Sequence, residues 1–443
     1  MIHKYFMNGY FIVIDVNSGA IHAVEEIVYD ILDYYKTDNV VEMLKNKYDV
    51  NELNLVLNEV KALEKQGLLF SPDIYEEMAE NLHKREPVIK ALCMHIAHDC
   101  NLKCTYCFAG EGEYKGARSL MSAEVGKKAI DFILANSGNR RNLEIDFFGG
   151  EPLMNFDVVK EIVAYGREKE ASFGKNIRFT LTTNGLLLDD EKIEYINEVM
   201  DNVVLSIDGR KHINDKMRPN ISGGGSYDII TPKFKKLAET RKDKPFYFRG
   251  TFTRENLDFS KDILHLADLG FSQISVEPVV SDPGLPYSLQ DSDYDKICAE
   301  YEELAVIMTK RKDFNFFHFM IDLTGGPCAT KRLVGCGAGS EYLAITPEGE
   351  LYPCHQFVGD KNFQLGTIDE GIVNHDLYKD FEGINVYSKE DCKNCFGKFY
   401  CSGGCAANGY LNKGDIKANY DLGCKLQLKR IECAIMLKVA NEV

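Results

Sequence analysis

Three thiols, Cys100, Cys104 and Cys107, fall within eight residues directly after an apolar, strand-like run from Val88 to Ile96. Thiolates are the soft ligands that select iron-sulfur clusters or zinc, and three on one tight turn can hold three corners of a metal cube. The fourth iron then has no protein ligand. An iron left open in this way can bind a small molecule through an amine and a carboxylate, whereas a four-thiolate set is closed. The alternatives are a zinc knuckle or three packing thiols, since free cysteine is commonly a small buried hydrophobe.

Other reactive groups stand at the ends of apolar runs. Gly149-Gly150-Glu151-Pro152 follows Leu143 to Phe148. Its glycines let backbone approach a ligand closely and Pro152 fixes the exit, although a plain strand-to-helix turn reads the same. Thr182, Thr183, Asn184 and Gly185 end a second run with hydroxyl and amide groups, or make an ordinary Asn-Gly turn. Ser206 and Asp208 end a third. Arg218 follows, with a planar fork suited to a carboxylate or a place on a helix surface. Glycines 223 to 225 lie in no strand-to-helix context for phosphate binding. Beyond residue 320 cysteine returns at 336, 354, 392, 395, 401, 405 and 424, and the middle set alone would suit structural zinc.

Residues 86–320 must position the first group. Strand patterns at Ile89 to Ile96, Leu143 to Phe148, Ile177 to Thr182, Val203 to Ile207, Phe246 to Thr253 and Ile274 to Val279 alternate with helical ones. The helical stretches are near 122–136, 157–172, 189–199, 227–241, 258–269 and 291–312. That alternation predicts an α/β fold, a parallel sheet with crossover helices. Six units are fewer than the eight of a closed barrel, so an open, partial barrel is expected, with its site at the strand C-terminal ends. Residues 1–85 read as a separate module: a hairpin about Asn8-Gly9, three helical patterns, and a returning strand at Leu68 to Phe70. Pro72 to Pro87 reads as a charged linker or short helix, and residues 321–443 form a cysteine-rich third domain.

The 443 residues exceed one ordinary core. A formal charge of -16, from 68 acids against 52 bases, argues against a nucleic-acid partner. No signal sequence and no run near 18 apolar residues stands out, which excludes a membrane role and predicts a cytoplasmic protein. In that compartment the 14 cysteines are reduced, and clustered ones read as metal ligands. Cys93, Cys298 and Cys433 sit singly as packing residues, and Cys328 is undecided.

The Cys-x3-Cys-x2-Cys spacing, with Tyr106 before the last thiol, resembles the signature of radical S-adenosylmethionine (radical SAM) enzymes. The resemblance implies a partial (β/α)6 TIM-like barrel. It also implies that Cys100, Cys104 and Cys107 hold a four-iron four-sulfur cluster whose open iron is chelated by S-adenosylmethionine. Chemistry at that cluster splits the sulfonium to a 5'-deoxyadenosyl radical, with no single side chain identified as catalytic. By the same resemblance Tyr106, Gly149, Gly150, Glu151, Asn184, Ser206, Asp208 and Arg218 contact or surround S-adenosylmethionine, and Val276 to Val280 lie near its adenine. The later cysteines resemble the SPASM extension, which carries two auxiliary clusters. Cys392, Cys395, Cys401 and Cys424 would close the distal one, and Cys336, Cys354 and Cys405 the nearer one. The fourth ligand of the nearer cluster is either Cys328 or a substrate thiolate. Residues 1–85 resemble the winged-helix, PqqD-like leader-recognition domain, which captures a peptide by adding a strand.

Residues 91–114 resemble the maturases of SCIFF peptides, which form thioether crosslinks between a cysteine sulfur and an α-carbon of a ribosomally made precursor. The expected partners are therefore a precursor peptide with a leader and a one-electron donor such as flavodoxin or ferredoxin. Two other functions are weighed. One is oxidation of cysteine or serine to formylglycine, as in anaerobic sulfatase maturation, where an aspartate follows the Cys354 equivalent in place of His355. The other is a non-catalytic zinc and winged-helix adaptor.

Overall fold

The computed structural model describes residues 1–37, 39–82, 88–321, 323 and 329–442. β1 (Ile2–Met7) and β2 (Tyr10–Asp15) form an antiparallel hairpin. Asn8 and Gly9 take positive φ, 50° and 83°, as a two-residue turn of matching twist requires. β3 (Ile21–Val24) adds a third strand beside β2. Three helices follow: α1 (Glu26–Tyr34), α2 (Val40–Leu44) and α3 (Val50–Lys65). Asp49 caps α3 by accepting from the backbone N–H groups of Asn51 and Glu52. Val13, Ile27, Ile31, Leu53, Leu57 and Val60 are the core between sheet and helices. The strand expected at Leu68 to Phe70 is not formed. Phe70 takes φ 53° and its ring stacks on Tyr35, so the chain turns away where a strand would continue. The third strand of the module is β3, which precedes the helices. Within the expected linker, Tyr75–Leu82 is helical, α4.

The eight residues of β4 (Ala91–His98) are all buried, as a strand covered on both faces requires. β5 (Ser119–Leu120) is a short antiparallel partner of β4. The expected alternation then appears: α5 (Ala123–Asn136), β6 (Asn142–Gly149), α6 (Phe156–Phe173), β7 (Asn176–Thr183), α7 (Asp190–Val199) and β8 (Asn202–Ser206). It continues with α8 (Lys211–Met217), α9 (Tyr227–Thr240), β9 (Phe246–Phe252), α10 (Ser260–Asp268), β10 (Gln273–Pro278) and α11 (Tyr294–Lys310). α8 is too short to show a helical period and was not expected. β4, β6, β7, β8, β9 and β10 are parallel neighbours, and the two-residue β11 (Asn315–Phe316) extends the β10 edge. Phe147, Phe179, Phe234, Phe248, Phe252, Phe259 and Tyr301 fill the space between strands and helices. Six parallel strands with outer helices match the open barrel.

The C-terminal segment does not start a separate sheet. α12 (Ala329–Val334) leads to β12 (Tyr342–Ile345), which pairs in parallel with the outer edge of β4, Tyr342 opposite Ala91. β13 (Glu350–Tyr352), β14 (Gly366–Thr367) and β15 (Gly371–Ile372) continue the sheet antiparallel. α13 (His375–Glu382), α14 (Glu390–Lys393), α15 (Lys398–Cys401), α16 (Ala406–Lys413) and α17 (Asp421–Glu442) complete the chain, and α17 packs on α11. Among the described residues no helix is long and apolar enough to cross a membrane.

The N-terminal module docks on this C-terminal extension. The His3 ring lies flat on Phe396 with centroids 3.5 Å apart, and its Nε2 is 2.9 Å from Glu432 Oε1. Tyr5 donates to the Glu432 carbonyl, and Val16, Ala79, Leu333, Val386, Cys392 and Phe399 share a core. Lys398, with its side chain 2% exposed, meets Asp73 at 2.7 Å, and Tyr387 also donates to Asp73. Removing one partner strands a buried charge. Asp73→Ala should cost about 3 kcal/mol in denaturant unfolding, and adding Lys398→Met should restore most of it.

Candidate active site

The loop between β4 and β5 carries Cys100, Cys104 and Cys107, and its backbone is pinned from the far side of the barrel mouth. Lys103 N–H donates to the Pro219 carbonyl and Thr105 N–H to that of Met217, at 2.8 and 2.9 Å. The three thiols line a cavity of about 150 Å³ together with Tyr106, Gly149, Gly150, Thr182, Thr183, Asn184, Ser206 and Arg218. Six of the eight residues expected around S-adenosylmethionine are thus on its wall, all but Glu151 and Asp208.

Glu151 and Asp208 stand one layer back. The Glu151 carboxylate is fully buried and accepts from Leu153 N–H, Thr183 Oγ1 and Asn184 N–H at 3.0, 2.8 and 2.8 Å. It ties the turn after β6 to the end of β7. Asp208, also fully buried, accepts from the Tyr106 hydroxyl at 2.8 Å and from Thr251 N–H at 3.1 Å. Burial pushes both carboxyls up; these donors and Arg218 oppose it. The glycines of the turn answer a tight approach. A Cβ at Gly149 would lie 2.4 Å from the Ala97 carbonyl oxygen, and one at Gly150 would lie 2.1 Å from that of Asp99.

Arg218 Nη1 donates to the Tyr106 hydroxyl at 2.8 Å, while its Nε–H is buried and has no acceptor. An orphaned guanidinium donor on the cavity wall fits a ligand carboxylate. The thiols fit a metal. Burial first, then Glu151, pushes Cys100 up to about 12, and burial pushes Cys104 up to about 11. Thiolates at such sites need a cationic partner. Among the described residues no three His, Cys, Asp or Glu side chains converge as the ligands of one ion do. The three thiols ring a space instead, which suits a body of several atoms. Asn184 Nδ2 lies 3.7 Å from Cys100 Sγ and donates to Asn101 at 2.7 Å.

Two further cavities continue through the lumen. The first, about 260 Å³, is lined by Cys93, Asp146, Phe148, Thr180, Thr182, Arg249, Tyr342 and His355, among others, and shares Thr182 with the cysteine cavity. The second, about 620 Å³, shares Arg249, Tyr342 and His355 with it and reaches Cys336, Cys354, Cys401, Cys405 and Cys424. The later thiols fall into two neighbourhoods. Burial first raises Cys354 and Cys424, and then their own neighbours do: Cys354 feels Cys405 and Cys336, whereas Cys424 feels Cys401, Cys392 and Cys395. Cys392 is held by Asn419, whose Nδ2 lies 3.5 Å from its sulfur. Cys328 lies outside the described residues.

Several wall residues had no signal in the sequence reading. Tyr114 donates to the Gly149 carbonyl at 3.0 Å and packs against His95 and His98, and Phe108 and Glu111 line the thiol cavity. Their position soon after Cys107 was the available hint. Arg249, His318 and Arg430 reach the large cavity from three distant elements, and no local motif marks them. His355, packed by Phe108 and Phe148, is pushed down to about 4 by burial first and Arg249 second, so it is neutral at neutral pH. Asp146 is pushed up to about 6 by burial first and Glu144 second. A raised carboxyl costs the fold once ionised, a cost that fades as pH falls through 6 toward the unfolded value near 4. Asp146→Asn should therefore stabilise by about 2 kcal/mol at pH 7.5, and the gain should shrink in melts at pH 5.

Residues 94–262 match the model of the radical SAM superfamily, and residues 336–396 match that of the SPASM iron-sulfur cluster-binding domain. The radical SAM cyclopropyl synthase TigE of Paramaledivibacter caminithermalis is 22% identical over 418 residues, covering 87% of this chain and 84% of that protein. The cysteine-type anaerobic sulfatase-maturating enzyme of Clostridium novyi is 26% identical over 351 residues, covering 72% and 89%. Streptococcus suis SuiB bound to S-adenosylmethionine superposes with a TM-score of 0.57 at 18% identity, over 95% of this chain and 98% of that one. SuiB has also been solved with its precursor peptide SuiA, with a TM-score of 0.55. The chain thus carries a radical SAM domain over residues 94–262, followed by a SPASM iron-sulfur cluster-binding domain over residues 336–396.

Proposed function

We propose that the protein is a peptide maturase of the radical SAM and SPASM type, joining a cysteine sulfur to an α-carbon of a ribosomally made precursor. The observation that carries this reading is the run of cavities with shared walls, from the Cys100, Cys104 and Cys107 loop through the lumen to Cys336, Cys354 and Cys405. A substrate side chain in that run lies between two thiol groups. In this reading Cys100, Cys104 and Cys107 hold one four-iron four-sulfur cluster. Cys392, Cys395, Cys401 and Cys424 hold a distal one, and Cys336, Cys354 and Cys405 a nearer one with a ligand place for a substrate thiolate or Cys328. When bound, the first cluster and S-adenosylmethionine supply the electron and the 5'-deoxyadenosyl radical that removes a substrate hydrogen.

The chain's own residues then bind, orient and shield. Arg218 Nε–H takes the methionine carboxylate, while Asn184 and Ser206 face the ribose. Tyr106, locked by Asp208, keeps the cysteine loop against the barrel mouth. Neutral His355, next to Cys354, can accept the proton that a substrate thiol gives up. The free edge of β3 offers a leader peptide a strand to extend, which makes residues 1–85 a recognition domain. SuiB, crystallised with a precursor peptide, superposes over most of this chain. The likeness to the Clostridium novyi enzyme favours a second reading, formylglycine formation, with His355 as base.

Protein purified without oxygen should be brown and carry about ten or more irons, as three four-iron clusters require. Replacing Cys100, Cys104 and Cys107 by alanine should remove about four. Mass spectrometry of a co-incubated cysteine peptide should show loss of two hydrogens per crosslink. Loss of sulfur with gain of oxygen would establish formylglycine chemistry instead, and a colourless zinc protein would end both readings.

A further inference from the structure

One wall of the large cavity holds polar groups from outside the cysteine motifs, of which Arg430 is also felt by Cys401. Arg430, on α17, donates from Nη1 to His318 Nδ1 at 2.9 Å and from Nη2 to Gln427 Oε1. A guanidinium can only donate, so Nδ1 is the acceptor and the neutral ring carries its proton on Nε2. Burial, then Arg430 and Arg249, keeps this ring neutral. Its Nε2–H is buried and meets no acceptor; the Glu277 carboxylate, at 4.0 Å, is out of reach. The Nε–H of Arg430 is buried and equally unmet. Glu277 is taken by Arg249 at 2.7 Å, which leaves Arg430 without a carboxylate among the described residues. The charged side chains on this wall are therefore two guanidiniums and one carboxylate, Arg249, Arg430 and Glu277.

A guanidinium with no carboxylate partner among the described residues, and two buried N–H donors with no acceptor, suit an anionic acceptor, which in a peptide is a carboxylate. We propose that Arg430 and His318, with Arg249 nearby, form a subsite for an aspartate or glutamate side chain of the peptide substrate. The subsite deepens the peptide-maturase reading and rests on it. It would seat the segment beside the modified cysteine by its charge, and it makes the lumen selective for acidic core peptides. The subsite opens on the same cavity as Cys336, Cys354 and Cys405, so a carboxylate held there brings neighbouring residues to those thiols.

The test uses anaerobic, cluster-loaded full-length protein and acetylated nine-residue peptide amides: alanine throughout, one central cysteine, and a single aspartate moved through the other positions. Each has an asparagine twin, and affinities are read by calorimetry up to millimolar peptide. At one position or more the aspartate peptide should bind about tenfold tighter than its twin. In Arg430→Gln, with iron content unchanged, the two should bind within about twofold; Arg430→Lys, which keeps the charge without the fork, should retain part of the preference. Twins that bind the wild type equally at every position would overturn the subsite and leave the peptide reading standing. So would a preference that survives in Arg430→Gln, or loss of iron from both variants, which would assign the guanidinium to a cluster near Cys401. Binding of no peptide at all would overturn the peptide reading together with the subsite.

Discussion

Two buried carboxylates fix the mouth of the barrel. Glu151 accepts three donors and locks the turn after β6 to the end of β7, while Asp208 joins the cysteine loop, through Tyr106, to β8 and to Thr251 on β9. Neither touches the cavity, and both are costly to bury. Their cost is offset only while every donor stays in place, so the positions of Asn184, Tyr106 and the thiols are set together. A loop of three thiols with no such frame could close on a single metal ion. Held apart, it surrounds a space.

The lumen behind that mouth is unusually polar for a barrel interior. Asp146, Thr180, Arg249 and Glu277 come from β6, β7, β9 and β10, and each occupies an inward position where alternate residues of a parallel strand fall. Filled with branched apolar side chains, these positions would make a packed core. Here they leave cavities that share lining residues between two sets of thiols. β12 contributes to this arrangement by pairing with β4, because that register carries Tyr342 and the hairpin to Cys354 and His355 against the lumen. The N-terminal module reaches the same extension from outside, through His3 on Phe396 and Asp73 on Lys398.

What the sequence discloses follows the range of the interaction concerned. Thiol spacing is local, so Cys100, Cys104 and Cys107 stand out by their intervals, whereas the division of the later cysteines comes from the family resemblance; in the fold Cys354 is near Cys405 and Cys336, and Cys424 near Cys401, Cys392 and Cys395. The six barrel strands are readable as well, since each carries apolar residues in a continuous or alternating pattern between helical stretches. Elements of a few residues escape. β3, α8 and β11 carry too little period to be seen, and Phe70, at positive φ, breaks a run that reads as a strand. Long-range pairings escape entirely. Nothing near residue 342 signals a strand partner at residue 91, nothing at Asp73 points to Lys398, and Arg249, His318 and Arg430 become neighbours only through the fold.

The proposal that one iron corner is left vacant, so that S-adenosylmethionine would chelate metal beside Arg218, is open to one direct measurement. Electron-nuclear double resonance on the reduced protein, with S-adenosylmethionine labelled by nitrogen-15 in its amine and oxygen-17 in its carboxylate, reports whether those atoms bind iron. Resolved hyperfine coupling to both labels is the expected result. Coupling to neither, with the cluster present and S-adenosylmethionine bound, would mean that the corner is closed by the protein.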